Sequence, residues 1–365
     1  MKDFSNLGIK KEIVRVLKEL SFEKPLEVQE KVVPLILSGK NIVFTSETGS
    51  GKTLAYLLGY IGKINKKLPC QMLIIVPTRE LCVQVGKEAK KICELLDIQV
   101  GMVYGGREIS GDYRTLNKKN QIIIATPGRL IQHINMKRLK VGDVRYIVFD
   151  ESDQMFDYGF YDDCVYLIKR ASNSIQIILS SATLTDIVKT FIEKIIGEHE
   201  LLKIGFMIPK SIVQEKIDVE IPNKNELLLK VLKNNTYKKI MIFCNKKIRC
   251  YEINQFLLDN KIKSVEINAG LRQDERTNNL NLFKQGKANV LITTDVSARG
   301  IHIENVDQVI NYDVPTRKEF YVHRIGRCGR QGKRGVSLTF ICSEDTERFV
   351  NIEKEYEFVA KEVKF

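Results

Sequence analysis

Asn41-Ile42-Val43-Phe44 leads, after one threonine, into Ser46-Glu47-Thr48-Gly49-Ser50-Gly51-Lys52-Thr53 and then into an apolar run that begins at Leu54. A short apolar strand, a glycine-bearing loop and a helix, in that order, are the context that gives a phosphate-loop pattern its meaning. Gly49 and Gly51 let the backbone come close to a phosphate, and the loop N–H groups and the helix N-terminus supply positive potential there. Lys52 has the reach for β- and γ-phosphates, and the Thr53 hydroxyl is placed to ligate Mg²⁺. The first loop position is Ser46 in place of glycine, one small residue for another.

Further strands follow the same pattern. Gln71–Val76, Gln121–Ala125, Arg145–Phe149 and Gln176–Leu179 are short runs rich in Ile, Val and Phe. Between them lie stretches with helical spacing, such as Leu81–Leu96, with Leu81, Val85, Ala89, Ile92 and Leu96 on one stripe. Continuous apolar strands alternating with helices predict a parallel sheet covered on both faces. Lys239–Phe243, Ser264–Ile267, Asn289–Ile292, Gln308–Asn311 and Val336–Phe340 repeat the pattern. The fold class is therefore α/β, with two tandem domains at 1–205 and 211–365 and a short linker at 206–210. In such sheets ligands bind beyond the carboxyl ends of the strands. Asp150 and Glu151 stand at the end of Arg145–Phe149. Asp150 is the candidate second Mg²⁺ contact, and Glu151 is the group that orients and activates an attacking water.

Composition sets outer limits. With 58 basic against 45 acidic residues in 365, the net charge is +13, spread over both halves, so a polyanion is the obvious partner class. No apolar run approaches the ~18 residues of a membrane span, and Met1–Lys11 has no apolar signal core. The eight cysteines form no C-x-x-C pair and the four histidines are scattered, which excludes a zinc site and suits reduced, buried thiols in a cytoplasmic protein.

With these residues in place, the chain resembles the DEAD-box family of ATP-dependent RNA helicases, from Phe4 to about Phe340. The resemblance implies two RecA-like domains, ATP and Mg²⁺ as ligands, and RNA as the polyanion. Phe4, Phe22 and Gln29, in and upstream of Ser21–Gln29, match the adenine-reading segment, with Leu26 where the family usually has Thr. The whole loop, including Ser46, Thr48 and Ser50, would hold the nucleotide. Asp150-Glu151-Ser152-Asp153 matches the acidic motif with Ser152 for Ala. Ser181 and Thr183 match the coupling motif, and Arg327 and Arg330 the arginine fingers.

A second set of matches implies contacts to RNA. These are Pro77, Thr78, Arg79, Gly105, Gly106, Thr126, Pro127, Gly128 and Arg129 in the first half, and Phe243, Gln273, Arg276, Thr294 and Asp295 in the second. The helix after Arg129 resembles the family's strand-bending wedge. Backbone-directed contacts of this kind favour RNA with little sequence preference. The expected activity is RNA-stimulated ATP hydrolysis by a monomer, coupled to closure of the two domains and local, non-processive unwinding of short duplexes. An ATP-dependent RNA clamp with weak turnover, and a DNA translocase of related architecture, are the other readings. The Gln29 segment and the acidic motif argue against the translocase.

One departure generates a test. His302 stands where the family usually has Asp, a carboxylate that accepts a hydrogen bond from an ATP ribose hydroxyl. An imidazole, mostly neutral at pH 7, accepts such a bond without charge assistance. Hydrogen bonds to charged groups are worth about 1.5–3 kcal/mol against about 0.5–1.5 for neutral ones. His302→Asp is therefore expected to tighten ATP binding several-fold and to sharpen discrimination against 3′-deoxy-ATP. Equal ATP to 3′-deoxy-ATP affinity ratios in the two proteins would refute the assignment.

Overall fold

The structure is a computed structural model that describes residues 3–46, 50–172, 174–205, 208–209, 211–234, 236–298, 303, 306–329 and 334–365. The chain divides into two compact units, Met1–Gly205 and Phe206–Phe365.

The first unit is built on seven strands: β1 (Ile42–Thr45), β2 (Met72–Ile75), β3 (Val100–Val103), β4 (Ile122–Ala125), β5 (Tyr146–Phe149), β6 (Gln176–Ser181) and β7 (Glu200–Lys203). The second has β8 (Ile212–Asp218), β9 (Ile240–Cys244), β10 (Ser264–Ile267), β11 (Val290–Thr294), β12 (Gln308–Asn311), β13 (Gly335–Ile341) and β14 (Lys361–Glu362). All pairings in both sheets are parallel. The orders are β3-β4-β2-β5-β6-β1-β7 and β10-β11-β9-β12-β13-β8-β14. Counted from the start of each unit, both read third, fourth, second, fifth, sixth, first, seventh. The two units thus share one topology.

Alternation along each strand explains why helices cover both faces. Ile42, Phe44, Met72, Ile74, Ile122 and Ile124 join one core of the first unit. Their neighbours Val43, Leu73, Ile75, Ile123 and Ala125 join another on the opposite face. In the second unit Met241, Phe243 and Leu291 face one core, and Ile240, Ile242 and Ile292 the other.

Ten strands follow the apolar runs of the sequence, most of them displaced at an end by one or two residues. Four others, β3, β7, β8 and β14, have no such run. β7 is half-exposed at a sheet edge, and β8 carries the exposed Val213 and Asp218 and the half-buried Glu215 and Lys216. β3 is an edge strand carrying Gly101, and β14 is a two-residue edge pairing.

All eight cysteines are free and buried. Burial pushes the Cys70, Cys82 and Cys93 thiols up to about 12. At neutral pH their thiolate fraction is then about three orders of magnitude below that of an ordinary cysteine. A thiol-reactive dye added to the native protein is expected to label these three far more slowly than a free thiol, and to label all eight after denaturation. Rapid labelling of Cys70, Cys82 or Cys93 in the native protein would contradict this burial.

Candidate functional site

The sequence-predicted residues of the first unit fall on one edge of its sheet, in two groups. Ser46, Ser50, Gly51, Lys52 and Thr53 follow β1; Asp150 and Glu151 follow β5; Ser181 and Thr183 lie at and beyond the end of β6. These three strands are adjacent, in the order β5-β6-β1. Pro77, Thr78 and Arg79 follow β2, Gly105 and Gly106 follow β3, and Thr126 to Arg129 follow β4; these strands are adjacent as well, in the order β3-β4-β2. Thr48 and Gly49 lie outside the described residues.

In the first group, Lys52 opens the helix Lys52–Ile61 and is buried, its Nζ donating to the Ser46 carbonyl at 3.0 Å. Ser46 Oγ and Ser50 Oγ are 3.0 Å apart across the loop. Gly51 has φ +89°, and a Cβ there would meet Gln29 Nε2 at 2.5 Å, so both conformation and space demand glycine. Gln29 is buried beneath it. Its Nε2 donates to the Gly51 carbonyl at 3.2 Å and its Oε1 accepts from Leu26 N at 2.8 Å. A primary amide keeps one N–H and one lone pair after those two bonds, the donor–acceptor pair an adenine edge needs. Phe22 is 40% exposed, whereas Phe4 is 2% exposed and belongs to the core. Of the two aromatics, Phe22 therefore has the ring surface available for stacking. Leu26 is also exposed.

Asp150 is the best-connected group of the site. Tyr56 OH donates to Asp150 Oδ2 at 3.1 Å, Glu151 N donates to Oδ1 at 3.0 Å, and the Ser180 hydroxyl also donates to Oδ1. Burial pushes the Tyr56 phenol well above its ordinary range, and the Asp150 carboxylate adds to the shift, so the phenol stays a proton donor. The nearby Thr53 side chain acts on the same phenol in the opposite direction. A threonine hydroxyl and a carboxylate thus lie on either side of one phenol, and this oxygen donor set suits a hard cation such as Mg²⁺. Glu151 sits at φ 52°, ψ 49°, a left-handed conformation uncommon for a residue with a side chain, and Gln154 Nε2 donates to its Oε2 at 2.8 Å. The acidic turn is tied to β6: Asp153 N donates to Ser181 Oγ at 3.3 Å, and Thr183 donates to Asp153 Oδ2 from N at 3.0 Å and from Oγ1 at 2.8 Å.

In the second group, Thr78 Oγ1 caps the helix Arg79–Cys93 by accepting from Leu81 N at 3.2 Å. Arg79 lies directly over Gly106, where a Cβ would overlap its guanidinium at 1.6 Å. Thr126 and Pro127 begin the helix Pro127–Asn135, and Gly128 is exposed. Arg129 points inward. Its Nε lies 3.5 Å from Asp112 Oδ2 with the side chain 8% exposed, and it also donates to the Arg107 carbonyl. Asp112 is fully buried and also accepts from Arg107 Nε at 3.0 Å and contacts His133 Nε2 at 2.9 Å.

In the second unit the sequence-predicted RNA residues also gather on neighbouring strands. Phe243 is the penultimate residue of β9, Gln273 and Arg276 lie on the helix Gln273–Lys284 after β10, and Thr294 and Asp295 join β11 to its following turn. Again these strands are adjacent. Arg276 is half-exposed; the Gln273 side chain lies outside what is described. Phe243 is a core residue, 1% exposed, so its ring packs inside the unit. Arg324 of the motif His323–Arg330 is fully buried and grips Asp295 with two bonds, Nε to Oδ1 at 2.6 Å and Nη2 to Oδ2 at 2.7 Å. It further donates to the Asn245 side chain at 2.8 Å and the Asp313 carbonyl at 2.6 Å, with its guanidinium carbon 5.4 Å from the Phe243 ring centroid. Arg327 lines one small cavity with Phe243, Asp295, Phe320, His323 and Arg324. His302 and Arg330 lie outside the described residues.

Sequence reasoning did not single out Tyr56, Ser180, Asp112, His133 or Arg324 as site residues. Only Arg324 carried a signal, its place inside the arginine-rich motif.

A phosphate loop with a carboxylate pair two strands away, on a parallel sheet, places the first unit among nucleotide-binding proteins of the phosphate-loop class. Comparison with known proteins narrows the class. The DEAD/DEAH box helicase family model matches residues 26–191, and the helicase conserved C-terminal domain model matches 223–332. The chain is 38% identical over 344 residues to the ATP-dependent RNA helicase CshA of Listeria monocytogenes, covering 93% of this chain and 66% of that protein. It is 34% identical to the DEAD-box ATP-dependent RNA helicase CshA of Geobacillus kaustophilus, covering 97% of this chain and 76% of that protein. Saccharomyces cerevisiae Dbp5 bound to RNA and ADP BeF3 superposes with a TM-score of 0.87 at 27% identity, covering 100% of this chain and 96% of that one. The chain belongs to the DEAD-box family of ATP-dependent RNA helicases, and is an ATP-hydrolysing enzyme with two RecA-like domains. Among the described residues no helix is long and apolar enough to cross a membrane.

The Arg324–Asp295 pair yields a stability test. Removing one partner of a buried pair leaves the other charge uncompensated, at a cost of about 3–5 kcal/mol. Arg324→Met is expected to destabilise the second unit by that amount in urea unfolding, and the Asp295→Asn/Arg324→Met double variant to recover part of the loss. Additive losses would show that the two side chains are not coupled.

Proposed function

We propose that the chain hydrolyses ATP in an RNA-stimulated manner and couples hydrolysis to closure of its two units and to local, non-processive unwinding of short RNA duplexes. The observation that supports this most is the division of the first sheet's carboxyl edge. Nucleotide-type residues follow β5, β6 and β1, and RNA-type residues follow β3, β4 and β2, so one rigid sheet carries both sites.

In this reading Lys52 and the loop N–H groups bind the β- and γ-phosphates, while Gln29 and Phe22 hold the adenine. Thr53 and Asp150 would hold Mg²⁺, which when bound neutralises charge on the phosphate oxygens. Glu151, kept in place by Gln154, orients the attacking water and accepts its proton. Arg327 and Arg330 of the second unit neutralise charge developing on the transferred phosphoryl group, so hydrolysis requires both units on one nucleotide. Ser181 and Thr183, bonded to Asp153, link the nucleotide residues to closure.

Arg79, Gly105, Gly106 and the start of the helix Pro127–Asn135 contact the RNA backbone, with Arg129 acting from behind through Asp112 and the Arg107 carbonyl. Arg276 extends the contacts on the second unit, and Thr294 and Asp295, whose side chains bond Ser297 and Arg324, contribute through their backbone. Phe243, being buried, contributes through its backbone and by shaping the surface. The unit of action is a monomer.

Glu151→Gln is expected to lower RNA-stimulated hydrolysis by at least about a hundredfold, the lower end of what a positioned proton acceptor supplies. It should leave ATP-analogue-dependent RNA binding intact, because it spares Lys52, Thr53 and Asp150. The ATPase rate with RNA, with DNA and with neither measures the rest. Stimulation by RNA alone supports the reading, a feeble rate with tight analogue-dependent binding indicates a clamp, and equal stimulation by DNA overturns it.

A further inference from the structure

A cavity of about 140 Å³ lies along the outer edge of the first sheet, lined by Lys90, Arg107, Arg114, Lys118, Asn120 and the strand β3 residues Val100 and Met102, with Thr115 at its side. Four of these residues are cations, and no carboxylate lines the cavity. Lys90, Arg114 and Lys118 have no ion pair among the described residues, whereas Arg107 is pinned: its Nε donates to Asp112 at 3.0 Å and its guanidinium packs 4.2 Å from the Tyr104 ring centroid. The opposite wall is held too. Asn120 Nδ2 donates to the Thr115 carbonyl at 2.6 Å and fixes the segment that carries Lys118. Cations gathered in a concave site without counter-charges raise the local potential and favour an anion there.

The cavity has room for roughly four to five water volumes, enough for a phosphodiester group with part of its sugar. It is continuous with the proposed RNA track, since Arg107 follows Gly105 and Gly106 directly and is bonded through its carbonyl to Arg129. Its floor, Val100 and Met102, is apolar and suits the face of a ribose or base.

We infer that single-stranded RNA extending beyond the proposed track continues into this cavity, where Lys90, Arg114 and Lys118 bind its phosphates. The inference rests on the reading of the chain as an RNA-binding enzyme. The site adds affinity for longer RNA and plays no part in hydrolysis.

The test compares RNAs of about 6 and about 20 nucleotides, the shorter within the site size of a single domain. Binding is followed by fluorescence anisotropy with a non-hydrolysable ATP analogue. The variant is Lys90→Ala/Arg114→Ala/Lys118→Ala, with Lys90→Arg/Arg114→Lys/Lys118→Arg as the charge-retaining control and thermal unfolding to show that both fold. The alanine variant is expected to bind the short RNA within twofold of wild type and the long RNA about tenfold or more weakly. Three lost phosphate contacts at about 0.7 each lower the slope of log K against log salt by about 2. The charge-retaining variant should keep both properties. Unchanged long-RNA affinity and slope in the folded alanine variant overturn the inference. So does a polyglutamate peptide that binds the wild type as tightly as the long RNA and loses that binding in the variant, which would identify an acidic protein surface as the occupant. Failure of wild type to bind even the short RNA would remove the RNA reading itself.

Discussion

Every described strand of a sheet points the same way, and the rest of the molecule is arranged around that constraint. In a parallel sheet all carboxyl ends meet at one edge, and each strand must be followed by a crossover that returns to the other. Loops at the carboxyl edge are thereby brought together from remote parts of the sequence, while helices on both faces leave the edge as the open surface. The order β3-β4-β2-β5-β6-β1 then sorts these loops. Those after β3, β4 and β2 offer glycines, helix starts and Arg79. Those after β5, β6 and β1 offer carboxylates, hydroxyls and Lys52.

Buried charge fixes the geometry of that edge. Asp150, Asp153 and Asp112 are each no more than 3% exposed, and each accepts several hydrogen bonds. Taking such groups out of water is costly, and buried pairs contribute little net stability compared with apolar packing. Their effect is directional. A carboxylate with both oxygens engaged holds one position, and Asp150 holds the Tyr56 phenol, the Glu151 backbone and the end of β6 with it. Arg324 plays the corresponding part in the second unit, joining the ends of β9, β11 and β12 through Asn245, Asp295 and the Asp313 carbonyl.

Much of this was legible in the sequence because it depends on local spacing. Apolar runs gave away ten strands, and the glycine loop and acidic turn were visible because strand ends precede them. The missing strands are those with one exposed face or an edge position, where charged residues such as Glu215 and Lys216 break the run. The missing site residues have a different cause. Tyr56 lies inside the apolar run Leu54–Ile61, Ser180 beside Ser181 and His133 between Gln132 and Ile134, and their partners are 94, 30 and 21 residues away. Nothing local distinguishes a tyrosine that holds a carboxylate from one that fills a core. Burial also separates residues that motif matching treats alike: Phe22 presents its ring to solvent, while Phe4 and Phe243 are core.

The acidic turn illustrates how backbone strain is held in place. A left-handed residue other than glycine costs on the order of 1–3 kcal/mol and persists only when its surroundings over-determine it. At Glu151 they do: the Asp150 side chain receives its N–H, and Gln154 holds its carboxylate. The brace comes from β6, where consecutive residues divide the task. Ser180 bonds Asp150 and Ser181 bonds Asp153. Successive strand side chains point to opposite faces, so the turn is gripped from both sides of the sheet. Ser181 also donates to the Thr183 carbonyl at 2.7 Å, and Thr183 returns to Asp153. The carboxylates and the segment after β6 therefore share one network, and neither can be displaced without breaking bonds in the other.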